Sequence, residues 1–122
     1  MIEVRQLSKR FGDRLAVDRI TFTARTGEVV GLLGANGAGK TTTMRMLTGF
    51  LPPSEGSASI AGHDITEDSI GARRAVGYLP ERVPIYPDMT VREYVLFWAR
   101  LRGAKHPAAS ADAAIARVNL AD

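Results

Sequence analysis

The segment from Glu28 to Gly49, EVVGLLGANGAGKTTTMRMLTG, admits very few folds. Val29, Val30, Gly31, Leu32 and Leu33 form a short apolar run bounded by turn signals, the pattern of a parallel-sheet strand buried on both faces. Gly34-Ala35-Asn36-Gly37-Ala38-Gly39-Lys40-Thr41 follows and fits G-x-x-x-x-G-K-[ST], the P-loop or Walker A pattern. Lys40 to Thr48 contains no Gly or Pro, which predicts a helix, and Gly49 stands where a helix-ending glycine belongs, with Pro52 and Pro53 beyond it. A chance match in a chain of this length is on the order of one in a few hundred from average composition. The flanking strand and helix make an accident rarer still.

The residue types say what such a loop is for. A nucleotide's β-phosphate needs several donors converging from one side, and backbone N–H groups supply them only when the chain wraps closely around the anion. Gly34, Gly37 and Gly39 permit that wrap, with Ala35, Asn36 and Ala38 completing the loop. The helix opening near Lys40 adds its own N–H groups and the positive end of its dipole. Lys40 is the point charge for the β- and γ-phosphates. The Thr41 hydroxyl is the expected Mg²⁺ ligand, and Thr42 is placed to bond the α-phosphate. The spacing is not G-x-G-x-x-G, which disfavours a dinucleotide-binding turn.

Bulk properties exclude other classes. The net charge of +3 comes from 16 basic and 13 acidic residues, scattered rather than clustered, so nucleic acid is not an expected partner. There is no Cys, which removes disulfides and thiolate metal sites. No apolar run approaches the ~20 residues that span a bilayer. The N-terminus, MIEVRQLSKRF, has no signal-peptide core.

Along the chain, Met1 to Leu7 and Ala16 to Ala24 alternate apolar and polar residues and predict two strands, the second with Val17, Ile20 and Phe22 inward. Ser8 to Arg14 reads as a polar turn carrying Phe11, an aromatic that can stack on a base or anchor the turn. Ser57 to Ile60 predicts a short strand, and His63 a solvent-facing turn residue. Thr66 to Arg74 predicts a helix capped by Thr66. Ala75 to Leu79 predicts a second core strand. Its carboxyl end carries Glu81, at the edge of the nucleotide site if the two strands lie in one parallel sheet. Val83, Ile85 and Tyr86, between prolines, either form a partner surface or tuck inward. Thr90-Val91-Arg92-Glu93 is a capping box for a helix to about Arg102, which its many apolar residues predict to be well buried. Lys105-His106-Pro107 reads as a linker before an alanine-rich helix from Ala108 to Val118.

The stretches VRQLSKRFGDRLAVDRITFTARTGEVVGLLGANGAGKTTTMRMLTG, LPPSEGSASIAGHDI and RRAVGYLPERVPIYPDMTVREYVLFWARLRG closely resemble the ATP-binding subunits of ABC transporters, in that family's order and spacing, as far as Gly103. The third looks most like the bacterial multidrug, sodium-export and gliding-motility branch. The resemblance implies an α/β P-loop NTPase core with an antiparallel β subdomain and the start of a helical subdomain. It divides the chain into a mixed flap and core over 1–87 and helical residues over 88–122. It implies Phe11 as the adenine-stacking residue, and it puts Glu81 where the family has a glutamine touching Mg²⁺ and the attacking water. An ionised Glu can ligate a metal but cannot donate a hydrogen bond. ATP and Mg²⁺ are the implied cofactors. The implied partners are a membrane-spanning permease, facing the loop after Glu81, and a second ATP-binding subunit in a nucleotide-sandwich dimer. The implied location is the cytoplasm, on the inner face of the cell membrane. The LSGGQ signature, the acidic-strand Asp, the catalytic Glu and the switch His of the family are not among the 122 residues. The chain is therefore expected to be the N-terminal part of a domain, inactive as an ATPase by itself. Three alternatives stay open: a non-transport member of the superfamily, a small nucleotide kinase or GTPase, and a non-hydrolysing binding module.

Overall fold

The computed structural model describes residues 1–34, 37 and 39–121. It divides into two compact units, Met1–Tyr78 and Leu79–Asp122.

In the first unit a long hairpin joins β1 (Ile2–Phe11) to β2 (Arg14–Ala24). β3 (Glu55–Ile60) pairs on the other side of β1, and the two-residue β4 (His63–Asp64) pairs with β3. The resulting sheet is antiparallel, in the order β2-β1-β3-β4. α1 (Lys40–Leu47) and the short α2 (Ser69–Arg74) complete the unit. Val4, Leu7, Val17, Ala58 and Ile60 from the strands form one buried cluster with Met46 and Leu47 of α1, Ile65 and Ala72. Ile20 and Phe22 pack against it half-buried, inward as their alternation predicts.

The hairpin is longer than the sequence suggests. Ser8 to Phe11 belong to β1, and the turn shrinks to Gly12 and Asp13. Polar residues survive in the strand because their neighbours satisfy them. The Ser8 hydroxyl accepts the Arg19 N–H at 2.8 Å, and the Ser54 hydroxyl accepts the Arg10 N–H at 3.0 Å. Each contact joins residues far apart in sequence, beyond the reach of a local pattern.

Two expected strands do not form. Val29 to Leu33 and Ala75 to Leu79 are irregular, with Val29 98%, Leu33 94% and Leu79 81% exposed. A central parallel strand takes its hydrogen bonds from flanking strands, and among the described residues every strand belongs to the antiparallel sheet.

The start of α2 is also displaced. The Asp64 carboxylate accepts the N–H groups of both Thr66 and Glu67, which holds those residues in a turn. The cap passes to Asp68, whose carboxylate accepts the Gly71 N–H at 3.1 Å. His63 lies in β4 rather than in a turn, with its side chain 44% exposed and its Nδ1 2.6 Å from Asp68 Oδ2.

The second unit holds α3 (Val91–Leu101) and α4 (Pro107–Arg117). The capping box of α3 is complete: Thr90 Oγ1 accepts the Glu93 N–H, and Glu93 Oε2 accepts the Thr90 N–H at 2.7 Å. Pro107, expected in a linker, opens α4 as its first helical residue, where its missing N–H costs nothing. Arg92 grips the Asp112 carboxylate with two nitrogens, at 2.9 and 3.4 Å. Against expectation α3 has no fully buried residue. Its aromatics pack edgewise on one another and on Tyr86, whereas burial in the pair falls on Ala111 and Ile115 of α4.

Candidate nucleotide site

The P-loop helix forms where its residues dictate. Gly39 is the N-cap of α1 at φ +97°, a left-handed conformation that favours glycine. Its carbonyl accepts the Thr43 N–H and the Thr43 hydroxyl, both at 2.8 Å. The helix therefore starts sharply, with Lys40, Thr41 and Thr42 in its first turn. Helical geometry leaves the first N–H groups without intrahelical acceptors, pointing along the axis at whatever lies before the helix.

A second constraint fixes Gly39. A β-carbon there would sit 2.5 Å from the Ala16 carbonyl oxygen and 3.1 Å from Val17 Cγ2. The P-loop end thus lies directly against β2, and β2 also carries Arg14, the cross-strand partner of Phe11. Phe11 lies one interstrand step and two residues of β2 from Ala16, across a register irregularity between Lys9 and Arg10. The sheet therefore brings Phe11 and the P-loop helix into one neighbourhood, 28 positions apart in sequence.

Among the other expected site residues, Lys40 is half-buried and its ammonium donates to the Gly34 carbonyl. Thr41 is exposed and Thr42 half-buried. Gly37 has φ +84° with open space where a side chain would stand. Ala35, Asn36 and Ala38 lie outside the described residues. Phe11 ends β1 and is 44% exposed. Glu81 belongs to the second unit, exposed at a bend, so it joins neither Lys40 nor Thr41 within one compact unit.

These groups fit a nucleoside triphosphate. The N-terminus of α1 suits an anion, Lys40 can exchange the Gly34 carbonyl for phosphate oxygens, and Phe11 offers a π-face. The Thr41 hydroxyl is a hard oxygen donor, and Mg²⁺ typically takes few protein ligands beside phosphate and water. Sequence reasoning passed over Lys9 and Ala16. Lys9 is legible in principle, since residues two apart on a strand share a face with Phe11. Ala16 has no sequence signal, because its role lies in its carbonyl.

Residues 17–122 match the family model described as "ABC transporter". Nod factor export ATP-binding protein I of Burkholderia lata is 44% identical over 110 residues, covering 90% of this chain and 36% of that protein. The probable multidrug ABC transporter ATP-binding protein YbhF of Escherichia coli K12 is 40% identical over 105 residues, covering 86% of this chain and 18% of that protein. The linearmycin resistance ATP-binding protein LnrL of Bacillus subtilis is 34% identical over 114 residues, covering 93% and 37%. The chain thus spans 18 to 37% of the length of these relatives.

A solved ATP-binding subunit of an ABC transporter superposes with a TM-score of 0.78 at 32% identity, over 87% of this chain and 44% of that one. The ATP-binding cassette MJ0796, solved as a dimer with ADP and Pi, also gives 0.78, at 19% identity over 95% and 56%, a likeness of fold. The expected α/β class of the ABC ATPases, with its antiparallel β subdomain, is therefore the fold observed. With the matched residues covering most of its length, and a P-loop helix seated against an antiparallel sheet, the chain belongs to the ABC transporter family.

Proposed function

We propose that the first unit binds ATP with Mg²⁺ through Gly34 to Thr42, and that the protein serves as the energising ATPase subunit of an ABC transporter. The observation that carries the reading is the α1 N-terminus: Gly39 at φ +97°, pinned against Ala16, with Lys40 and Thr41 following at once. In this reading Lys40 compensates the β- and γ-phosphate charge, the exposed Thr41 hydroxyl is a metal ligand, and the adenine stacks on Phe11. When bound, Mg²⁺ supplies Lewis-acid neutralisation of the phosphate charge. Glu81 is proposed as the residue that approaches the metal and the attacking water.

ATP hydrolysis belongs to the complete ABC ATPase domain. Phosphoryl transfer depends on positioning and charge stabilisation by several groups at once. Within the first unit the described residues offer a cradle, a cation and a hydroxyl but no acidic side chain at the P-loop helix, so the 122 residues alone should bind without turnover. A membrane-spanning permease and a second ATP-binding subunit are the proposed partners, which places the protein on the inner face of the cell membrane. Among the described residues no helix is long and apolar enough to cross the membrane itself.

The test is equilibrium titration with a fluorescent ATP analogue and Mg²⁺. Loss of a charge-assisted phosphate contact is worth ~1.5–3 kcal/mol, so Lys40→Ala should weaken binding by at least about tenfold. Unchanged affinity in a folded Lys40→Ala variant would refute the assignment.

A further inference from the structure

We propose that Lys9 is a positioning residue for the nucleotide base: it holds the Phe11 ring in its stacking pose by covering one face and leaving the other for the base. The proposal rests on the reading of Phe11 as the base-stacking residue. Lys9 Nζ lies 5.4 Å from the Phe11 ring centroid, within cation–π range. The same nitrogen donates a 2.8 Å hydrogen bond to the Pro52 carbonyl. The Lys9 ammonium is therefore held at a second fixed point while it lies over the ring.

That second point is itself secured. The Ser54 N–H donates to the Ser8 carbonyl at 2.9 Å, and the Ser54 hydroxyl accepts the Arg10 N–H at 3.0 Å. The turn carrying Pro52 is thus joined to β1 on both sides of Lys9. A lysine on an open strand would lose much rotamer freedom to cover a neighbouring ring. Here the Pro52 carbonyl holds the ammonium in place. Phe11, 44% exposed at the strand's end, would otherwise be free to rotate, and its ordering would oppose each binding event.

The chemistry separates this role from phosphate binding. A positioning residue acts through the base and leaves the triphosphate's own affinity alone. The experiment is competition titration of the protein with ATP and with inorganic tripolyphosphate, both with Mg²⁺, for wild type, Lys9→Ala, Lys9→Met, Lys9→Arg, Phe11→Ala and the Lys9→Ala/Phe11→Ala double variant. Lys9→Ala and Lys9→Met should each weaken ATP about three- to tenfold, the size of an exposed cation–π contact plus one side chain left to be ordered. Lys9→Arg should restore affinity, because a guanidinium can both stack on the ring and donate to Pro52. Tripolyphosphate affinity should stay level across all the Lys9 variants, which also shows the P-loop intact. In the Phe11→Ala background Lys9→Ala should cost nothing further. Loss of ATP affinity with Phe11→Ala but not with Lys9→Ala overturns the proposal alone. Loss with neither overturns the stacking reading beneath it. Equal loss of ATP and tripolyphosphate in Lys9→Ala makes Lys9 a phosphate ligand or a folding residue and also overturns the proposal.

Discussion

Gly56→Ala should be among the most destabilising small substitutions in the first unit. Between the pairs Arg5↔Ser57 and Ser8↔Glu55, two residues of β1 face one residue of β3, Gly56. This is a β-bulge, with Gln6 at φ +48° and Gly56 at φ +81°. A β-carbon on Gly56 would overlap the Gln6 carbonyl and lie 2.7 Å from the Arg5 oxygen. The left-handed conformation alone costs alanine about 1–2 kcal/mol. The clash is with backbone, which cannot rotate away as a side chain would, so β1 and β3 must part locally at a further ~1–3 kcal/mol. The sum of ~2–5 kcal/mol is a large share of a small domain's ~5–15. Gly62→Ala is the control: its φ is +82°, nearly the same, but nothing lies within 4 Å, so only the conformational ~1–2 kcal/mol applies. The lone Trp, Trp98, lies in the second unit, so amide hydrogen exchange in β1 and β3 is the assay, read as opening free energies. Equal losses in the two variants would refute the argument from strand approach.

Phe11→Ala should weaken ATP binding by ~1–3 kcal/mol with Phe11→Tyr near wild type, while a packing role would instead lower the melting temperature without touching affinity. Removing the Thr90 cap with Thr90→Ala should cost the second unit ~0.5–2 kcal/mol, read from Trp98 fluorescence in urea, and an unchanged midpoint would contradict the capping account. Hydrogen bonds from the Thr90 backbone and hydroxyl hold the Glu93 carboxyl below its usual range. A depressed folded value means this stabilisation is present above the unfolded pKa and is lost as pH falls through the folded one. Glu93→Gln should flatten the acid limb of the stability profile, and superimposable profiles would count against it. The 122-residue chain with Mg²⁺ should release no phosphate from ATP above its Lys40→Ala variant, and steady turnover absent from that variant would make it a working ATPase.

Local chemistry was legible and tertiary chemistry was not. α1 and the α3 capping box can be read because each lies within a few residues: Gly39 before Lys40, and Thr90 three positions before Glu93. The hairpin's extension through Ser8 to Phe11 depends on Ser54 and Arg19, which no local window contains. Thr66 is a sound N-cap by type, yet Asp64 captures its N–H first. The apolar runs at Val29–Leu33 and Ala75–Leu79 state a demand for burial, but pattern cannot supply the neighbouring strands that would meet it. For the site, the P-loop motif marks the proposed phosphate end, while the approach of Gly39 to Ala16 links it to the hairpin of Phe11.

The most direct measurement follows backbone amide and aromatic NMR signals of the isotopically labelled protein during titration with ATP and, separately, tripolyphosphate, both with Mg²⁺. The amides of Gly37, Gly39, Lys40 and Thr41 should shift with either ligand, and the Phe11 ring protons should move only when a base is present. If ATP at saturation leaves the Gly37 to Thr41 amides unmoved, the phosphate cradle is not where this account places it.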